Sequence, residues 1–109
     1  MAKFEVYQSA KSKEYRFRMK ASNGQIILSS EGYKSKKACL NGIESVKSNA
    51  KNPKRYNKTQ TASGAYRFAL VAGNKEIIGI SQNYKSESGR NNGVKSVMKN
   101  AVKAAVTEL

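Results

Sequence analysis

"SEGYKS", residues 30–35, and "SQNYKS", residues 81–86, write Ser-x-x-Tyr-Lys-Ser twice, and the spacing between them reveals the architecture. Working outward, "YRFRMKASNGQIILSSEGYKS" from Tyr15 lies over "YRFALVAGNKEIIGISQNYKS" from Tyr66 at a constant offset of 51 residues without a gap. The match continues through "NGIESVKSNA" from Asn41 and "NGVKSVMKNA" from Asn92. Tyr15/Tyr66, Phe17/Phe68, Asn23/Asn74, Ile26/Ile77, Tyr33/Tyr84 and Asn49/Asn100 are among the identities. A period of this length marks a tandem duplication of one supersecondary unit. The phrase recurs because the unit recurs.

Each unit reads strand, strand, strand, helix. "KFEVYQS" alternates, with Phe4 and Val6 on one face. In "EYRFRMKA", Tyr15, Phe17, Met19 and Ala21 point one way and Arg16, Arg18 and Lys20 the other, the period-2 pattern of a half-buried strand. Asn23-Gly24 predicts a type I′ hairpin turn, and Gly73-Asn74 permits positive φ at the same place in the second unit. "IILSS" and "EIIGIS" are short β-rich runs. Ser35 and Ser86 stand where helix N-caps belong. Behind them Cys39, Ile43, Val46 and Ala50, then Val94, Val97 and Ala101, recur at helical spacing. Gly42 and Gly93 lie beside that face; they weaken a helix but let it approach a sheet closely. Pro53 stops the first helix, and Tyr56 to Thr61 looks extended. The tail "AVKAAVTEL" suits a continuing helix by its alanines, whereas the duplication predicts a short strand near Val106.

These motifs resemble the YegP-like family of small bacterial proteins, over nearly the whole chain. The residues that carry the likeness are "FEVYQS", "YRFRMKASNGQIILSSEGYKSK", "NGIESVKSNA" and their second copies. The resemblance implies an α+β fold: two β(3)-α-β repeats forming a single antiparallel sheet, with two helices on one face and C-terminal strands exchanged between repeats. It supplies no catalytic residues to carry over. We expect one domain over 1–109, with a first repeat of 1–53 and a second of 54–109, and a monomer that is a pseudo-dimer within itself.

Composition limits function. In 109 residues there are 21 Lys and Arg against 7 acids, all Glu, for a net charge of +14; there is no His, Asp or Trp. Without His and Asp, Ser-His-Asp catalysis is impossible, and one cysteine makes no zinc cluster. Neither a Walker loop nor a dinucleotide fingerprint is present. Cys39 shares the apolar helix face with Ile43 and reads as a buried small hydrophobe. A lone cysteine and a start without an apolar signal region predict a cytoplasmic protein with no membrane association. We expect no enzyme activity, no cofactor and no metal.

The charge points to polyanions. Arg16, Arg18, Lys20 and Arg67 face away from the helices and form one candidate site; Lys34, Lys36 and Lys37 around the first helix N-terminus form another. A third basic run is Lys47, Lys51, Lys54, Arg55 and Lys58, within a stretch from Ser45 to Lys75 that holds no acid. Tyr7 is the aromatic best placed to join the sheet face, too few for base stacking of the RRM kind. The expected function is a noncatalytic module binding nucleic acid or another polyanion. The alternative is a protein-interaction or assembly module, using Ile27, Ile78 and Ile80 if they face solvent, or the sheet edges. The repeated Ser30/Ser81, Asn41/Asn92, Ser45/Ser96 and Asn49/Asn100 are expected to serve the fold.

Overall fold

The computed structural model describes residues 2–109. Strands β1 (Lys3–Gln8), β2 (Tyr15–Lys20) and β3 (Ile26–Ser29) lead into helix α1 (Lys36–Asn49). A single 3-10 turn, Pro53–Arg55, then opens the second set: β4 (Tyr56–Gln60), β5 (Tyr66–Val71), β6 (Ile77–Ile80), helix α2 (Glu87–Asn100) and β7 (Ala105–Glu108). All seven strands form one sheet in the order β4-β5-β6-β3-β2-β1-β7. The C-terminal strands are exchanged as expected. β4 follows α1 but pairs with β5, and β7 follows α2 but pairs with β1. The tail is therefore a strand, as the duplication implies. It joins β1 in parallel, while the other five pairings are antiparallel.

The alternating residues of β2 and β5 make the core. Phe17, Met19, Phe68 and Leu70 are fully buried, beneath Cys39, Ile43 and Val46 of α1 and Val94 and Val97 of α2. Helix α1 reaches β1 and β2 of its own half and β5 and β6 of the other, and α2 touches β3 as well as β5. Two units that each leave one apolar face bare thus close a common core. The halves meet at β3 and β6 through one paired position, Ser29 opposite Ile80.

Three of the four fixed letters of the repeated phrase have a structural task; the lysine, exposed in both copies, has none among the described residues. Ser30 Oγ accepts from Phe17 N–H at 2.9 Å and donates to Glu31 C=O at 2.8 Å. It thereby extends the β2–β3 ladder past the end of β3. Ser81 does the same for Phe68. Tyr33 and Tyr84 form two-way backbone bridges to Tyr15 and Tyr66. Their rings then slide beneath the helices, Tyr33 stacking on Phe17 with centroids 6.3 Å apart. A Cβ on Gly42 would stand 2.5 Å from the Tyr33 hydroxyl, and one on Gly93 would meet Tyr84 in the same way. Glycine is required there because the tyrosine fills the space. Ser35 and Ser86 cap the helices, accepting from Ala38 and Gly89 N–H at 3.1 and 3.0 Å. Asn49 and Asn100 each bond back to the carbonyl of Ser45 and Ser96. Asn41 and Asn92 are exposed, and nothing among the described residues explains their recurrence.

Two local expectations need correction. The β2–β3 turn is not type I′. Gly24 N–H donates to Ala21 C=O and Ala21 N–H to Gln25 C=O, and only Gly24 has positive φ. That is a three-residue loop with a G1-type bulge. In the second copy the positive φ falls on Lys75, not on Gly73 or Asn74. The bulges between Met19 and Lys20 and between Leu70 and Val71 also break strict alternation. Ile27 and Ile78, expected toward solvent, are 5% and 8% exposed, whereas Ile26 and Ile77 are 37% and 50% exposed. Ile80 is exposed as expected.

Candidate functional site

The sheet face opposite the helices carries the first candidate cluster, and register decides its chemistry. Pairing of β1 with β2 sets Glu5 opposite Arg18, between Lys3 opposite Lys20 and Tyr7 opposite Arg16. Glu5 Oε1 accepts from Arg18 Nε at 2.7 Å and lies 3.3 Å from Lys20 Nζ, and its Oε2 is 3.4 Å from Lys3 Nζ. The hydrogen bond from Arg18, opposed by burial and reinforced by Lys20, pulls the Glu5 carboxyl from 4.5 down to about 2. The Arg18 guanidinium also lies 4.8 Å over the Tyr7 ring. Glu5 was absent from the sequence-derived cluster. The signal for it was available, because alternation in β1 sends Glu5 and Tyr7 to the face opposite Phe4 and Val6.

The four predicted sheet cations therefore do not lie together as one unpaired stripe. Arg18 and Lys20 surround Glu5, and Arg16 approaches Glu14 at 3.9 Å. Arg67 is exposed on β5, with β6 and β3 between it and β2. That places it roughly 14 Å away at the usual strand spacing.

The helix cluster is also divided. Lys36 Nζ reaches Glu108 Oε1 at 2.6 Å, tying the start of α1 to β7. Its ammonium is held above its ordinary pKa by that carboxylate. Lys34 and Lys37 are exposed and have no acid within reach among the described residues. Cys39 is fully buried, and desolvation raises its thiol pKa, the reverse of what a nucleophilic thiolate needs. Arg90, at the matching place in α2, packs over Tyr66 with its charge 5.4 Å from the ring centroid. It sends Nη1 toward the Thr59 carbonyl at 3.4 Å.

Across the described residues, six cations lie within 4 Å of a carboxylate: Lys3, Arg16, Arg18, Lys20, Lys36 and Arg90. The acid-free segment retains Lys51, Lys54, Lys58 and Arg67 on the exposed surface. Among the described residues no helix is long and apolar enough to cross a membrane.

This two-repeat, seven-stranded sheet with its exchanged strands defines the class of protein. The family model described as "Domain of unknown function (DUF1508)" matches twice, over residues 10–57 and 62–108, and the chain belongs to that family. It is 49% identical over 106 residues to the "UPF0339 protein in ptx operon 5'region" of Stutzerimonas stutzeri, covering 97% of this chain and 95% of that protein. It is 42% identical over 102 residues to the UPF0339 protein YegP of Yersinia pestis, covering 94% and 91%. The solution structure of a UPF0339 protein from Shewanella oneidensis superposes with a TM-score of 0.93 at 40% identity, covering 99% of this chain and 91% of that one. The solution structure of yegP from E. coli, a protein of unknown function, gives 0.92 at 39% identity, covering 98% and 91%. These relatives confirm the YegP-like resemblance and the fold.

Proposed function

We propose that this protein is a noncatalytic binding module for a polyanion, with nucleic acid as the natural candidate. The observation that supports the reading is the imbalance of the surface: among the described residues most of the 21 cations have no carboxylate within 4 Å, and the Ser45–Lys75 segment adds no acid. A field of that sign draws phosphates by counterion release, without any built pocket. The contacts we assign are Arg16 and Arg67, related by the internal repeat, with Lys34 and Lys37 beside α1. Arg18, Lys20 and Lys36 contribute charge from within their ion pairs, as Arg16 does from its looser contact with Glu14 at 3.9 Å. Binding of this kind is weak and sequence-independent, with Kd of about 10⁻⁴–10⁻⁶ M at physiological salt. Labelled DNA and RNA titrated at two salt concentrations test it. A steep loss of affinity with salt, and a further loss in Arg16→Glu/Arg67→Glu, is expected; no binding at low salt ends the reading.

A protein-interaction role is the second reading, supported by exposed apolar surface at the seam. Ile77 and Ile80, with Arg16, Ser29 and Glu31, line a shallow groove of about 310 Å³. Pull-downs with and without nuclease separate the two readings.

A further inference from the structure

The two ends of the sheet should be alike and are not. Met19 and Leu70 are repeat equivalents; β1 sets Phe4 opposite the first, and β4 sets Tyr56 opposite the second. Phe4 and Tyr56 are thus counterparts. Both are buried, and they pack on the equivalent rings Phe17 and Phe68. By the same ladders Val6 corresponds to Lys58 and Gln8 to Gln60.

At one end, β7 covers the outer edge of β1. It runs parallel, with Phe4 beside Val106 and Val6 beside Glu108, and Leu109 N–H donates to the Val6 carbonyl at 2.8 Å. At the other end no described residue pairs with the outer edge of β4, and Asn57, Lys58, Thr59 and Gln60 are all exposed. Thr61 N–H bonds to Ala65 C=O on the β5 side. Alternation along an antiparallel ladder therefore turns the N–H and C=O of Lys58 and Gln60 outward. They correspond to the groups of β1 that face β7. One chain of seven strands fills one of two equivalent strand positions.

We propose that the open edge of β4 is a docking site for an extended acidic protein segment, which adds as an eighth strand parallel to β4. The direction follows from β7 on β1. The charge follows from what differs between the two ends. Where β1 offers Val6 beside Glu108, β4 offers Lys58, within a segment that contains Lys51, Lys54, Arg55 and Arg67 and no acid. The position of Lys36, which holds Glu108, is taken by Glu87, but that carboxylate already faces Arg90 at 3.9 Å. A second copy is a poor occupant. Isologous β4–β4 pairing would bring these basic edges together between chains of net charge +14. The proposal shares the basic Ser45–Lys75 segment with the polyanion reading but differs from it in using the outward backbone groups of β4, which the titration below reads directly.

The test is an amide-resolved NMR titration of the full chain with two synthetic peptides, AAVTEL, the sequence of residues 104–109, and AAVTKL. AAVTEL is expected to shift the amides of Lys58 and Gln60 and to slow their hydrogen exchange. AAVTKL should bind about fivefold more weakly at low salt. Lys58→Pro, which removes an outward N–H and no ladder donor, should abolish the effect while leaving the rest of the spectrum folded; Gln60→Pro serves as a second such variant. Unmoved β4 amides at millimolar peptide overturn the proposal, as do shifts confined to β1 or equal binding of both peptides. A sedimentation dimer that Lys58→Pro dissolves would assign the edge to a second copy and also overturn it.

Discussion

Glu5→Gln removes the acid that the ladder places among Lys3, Arg18 and Lys20 while keeping the size and shape of the side chain. A fall in carboxyl pKa from 4.5 to about 2 sets a ceiling of about 3 kcal/mol on the stability that ionised Glu5 contributes, at 1.36 kcal/mol per unit. The net value is smaller. Although Glu5 is 5% exposed, its cover is a single layer of flexible cationic side chains, 27% to 46% exposed themselves. Solvent screening of such a layer leaves about 1–2 kcal/mol. The sign follows from the depressed pKa in the folded state. The contribution is fully present above about pH 4.5; it fades as the unfolded carboxyl takes up its proton and is lost as pH falls through about 2. Urea unfolding of both proteins at pH 7, 4, 3 and 2.5 reads the difference from the midpoints, provided the slopes agree. The remaining glutamates are common to both proteins and cancel. A gap between wild type and variant that narrows steadily below pH 4.5 is expected. A gap that holds its pH 7 value at pH 2.5 would refute the assignment of the pKa shift to this cluster. The same variant should bind polyanions more tightly if the sheet face is used, because it removes the carboxylate that competes with phosphate.

The remaining predictions concern packing, backbone and thiol. Gly42→Ala should destabilise by about 1–3 kcal/mol despite alanine's better helix propensity, because its Cβ meets the Tyr33 hydroxyl at 2.5 Å and Phe17 at 3.1 Å. The loss should shrink in a Tyr33→Phe background, and a gain of about 1 kcal/mol in thermal or urea unfolding would contradict the packing. Lys75→Gly should stabilise by about 1 kcal/mol, since Lys75 holds φ at 71° where the other copy uses Gly24; an unchanged unfolding midpoint contradicts that. Cys39, fully buried with its thiol pKa raised, should react with an aromatic disulfide reagent only as fast as the chain opens; stoichiometric labelling within seconds under native conditions would place it at the surface.

What could be read in the sequence was whatever the duplication states twice. The offset from Tyr15 to Tyr66 and the alternation of "YRFRMK" located the core strands, both N-caps and both close-approach glycines, because each rests on local chemistry within a few residues. Alternation in β1 shows which face Glu5 takes but not which cations it meets. Its partners lie across a hairpin, and the register depends on a Ser9–Glu14 loop whose conformation includes Lys13 at φ 62°, a choice lysine does not advertise. The exchange of exposure between Ile26 and Ile27, and between Ile77 and Ile78, has the same origin, since one bulge residue per hairpin resets the alternation downstream.

The differences between the copies become readable only with the topology. Val6 against Lys58 and Lys36 against Glu87 look like neutral drift along the chain. In the sheet they separate an edge closed by the chain's own β7 from one left open and basic. Most core positions, such as Phe17/Phe68 and Val46/Val97, are apolar in both halves because both halves need them to fold, whereas Val6/Lys58 and Cys39/Arg90 are not. A charged position at an edge is free to diverge once the symmetry of the edges is broken. β4 is where the broken symmetry shows, because it follows the first helix and yet takes beside β5 the place that β1 takes beside β2.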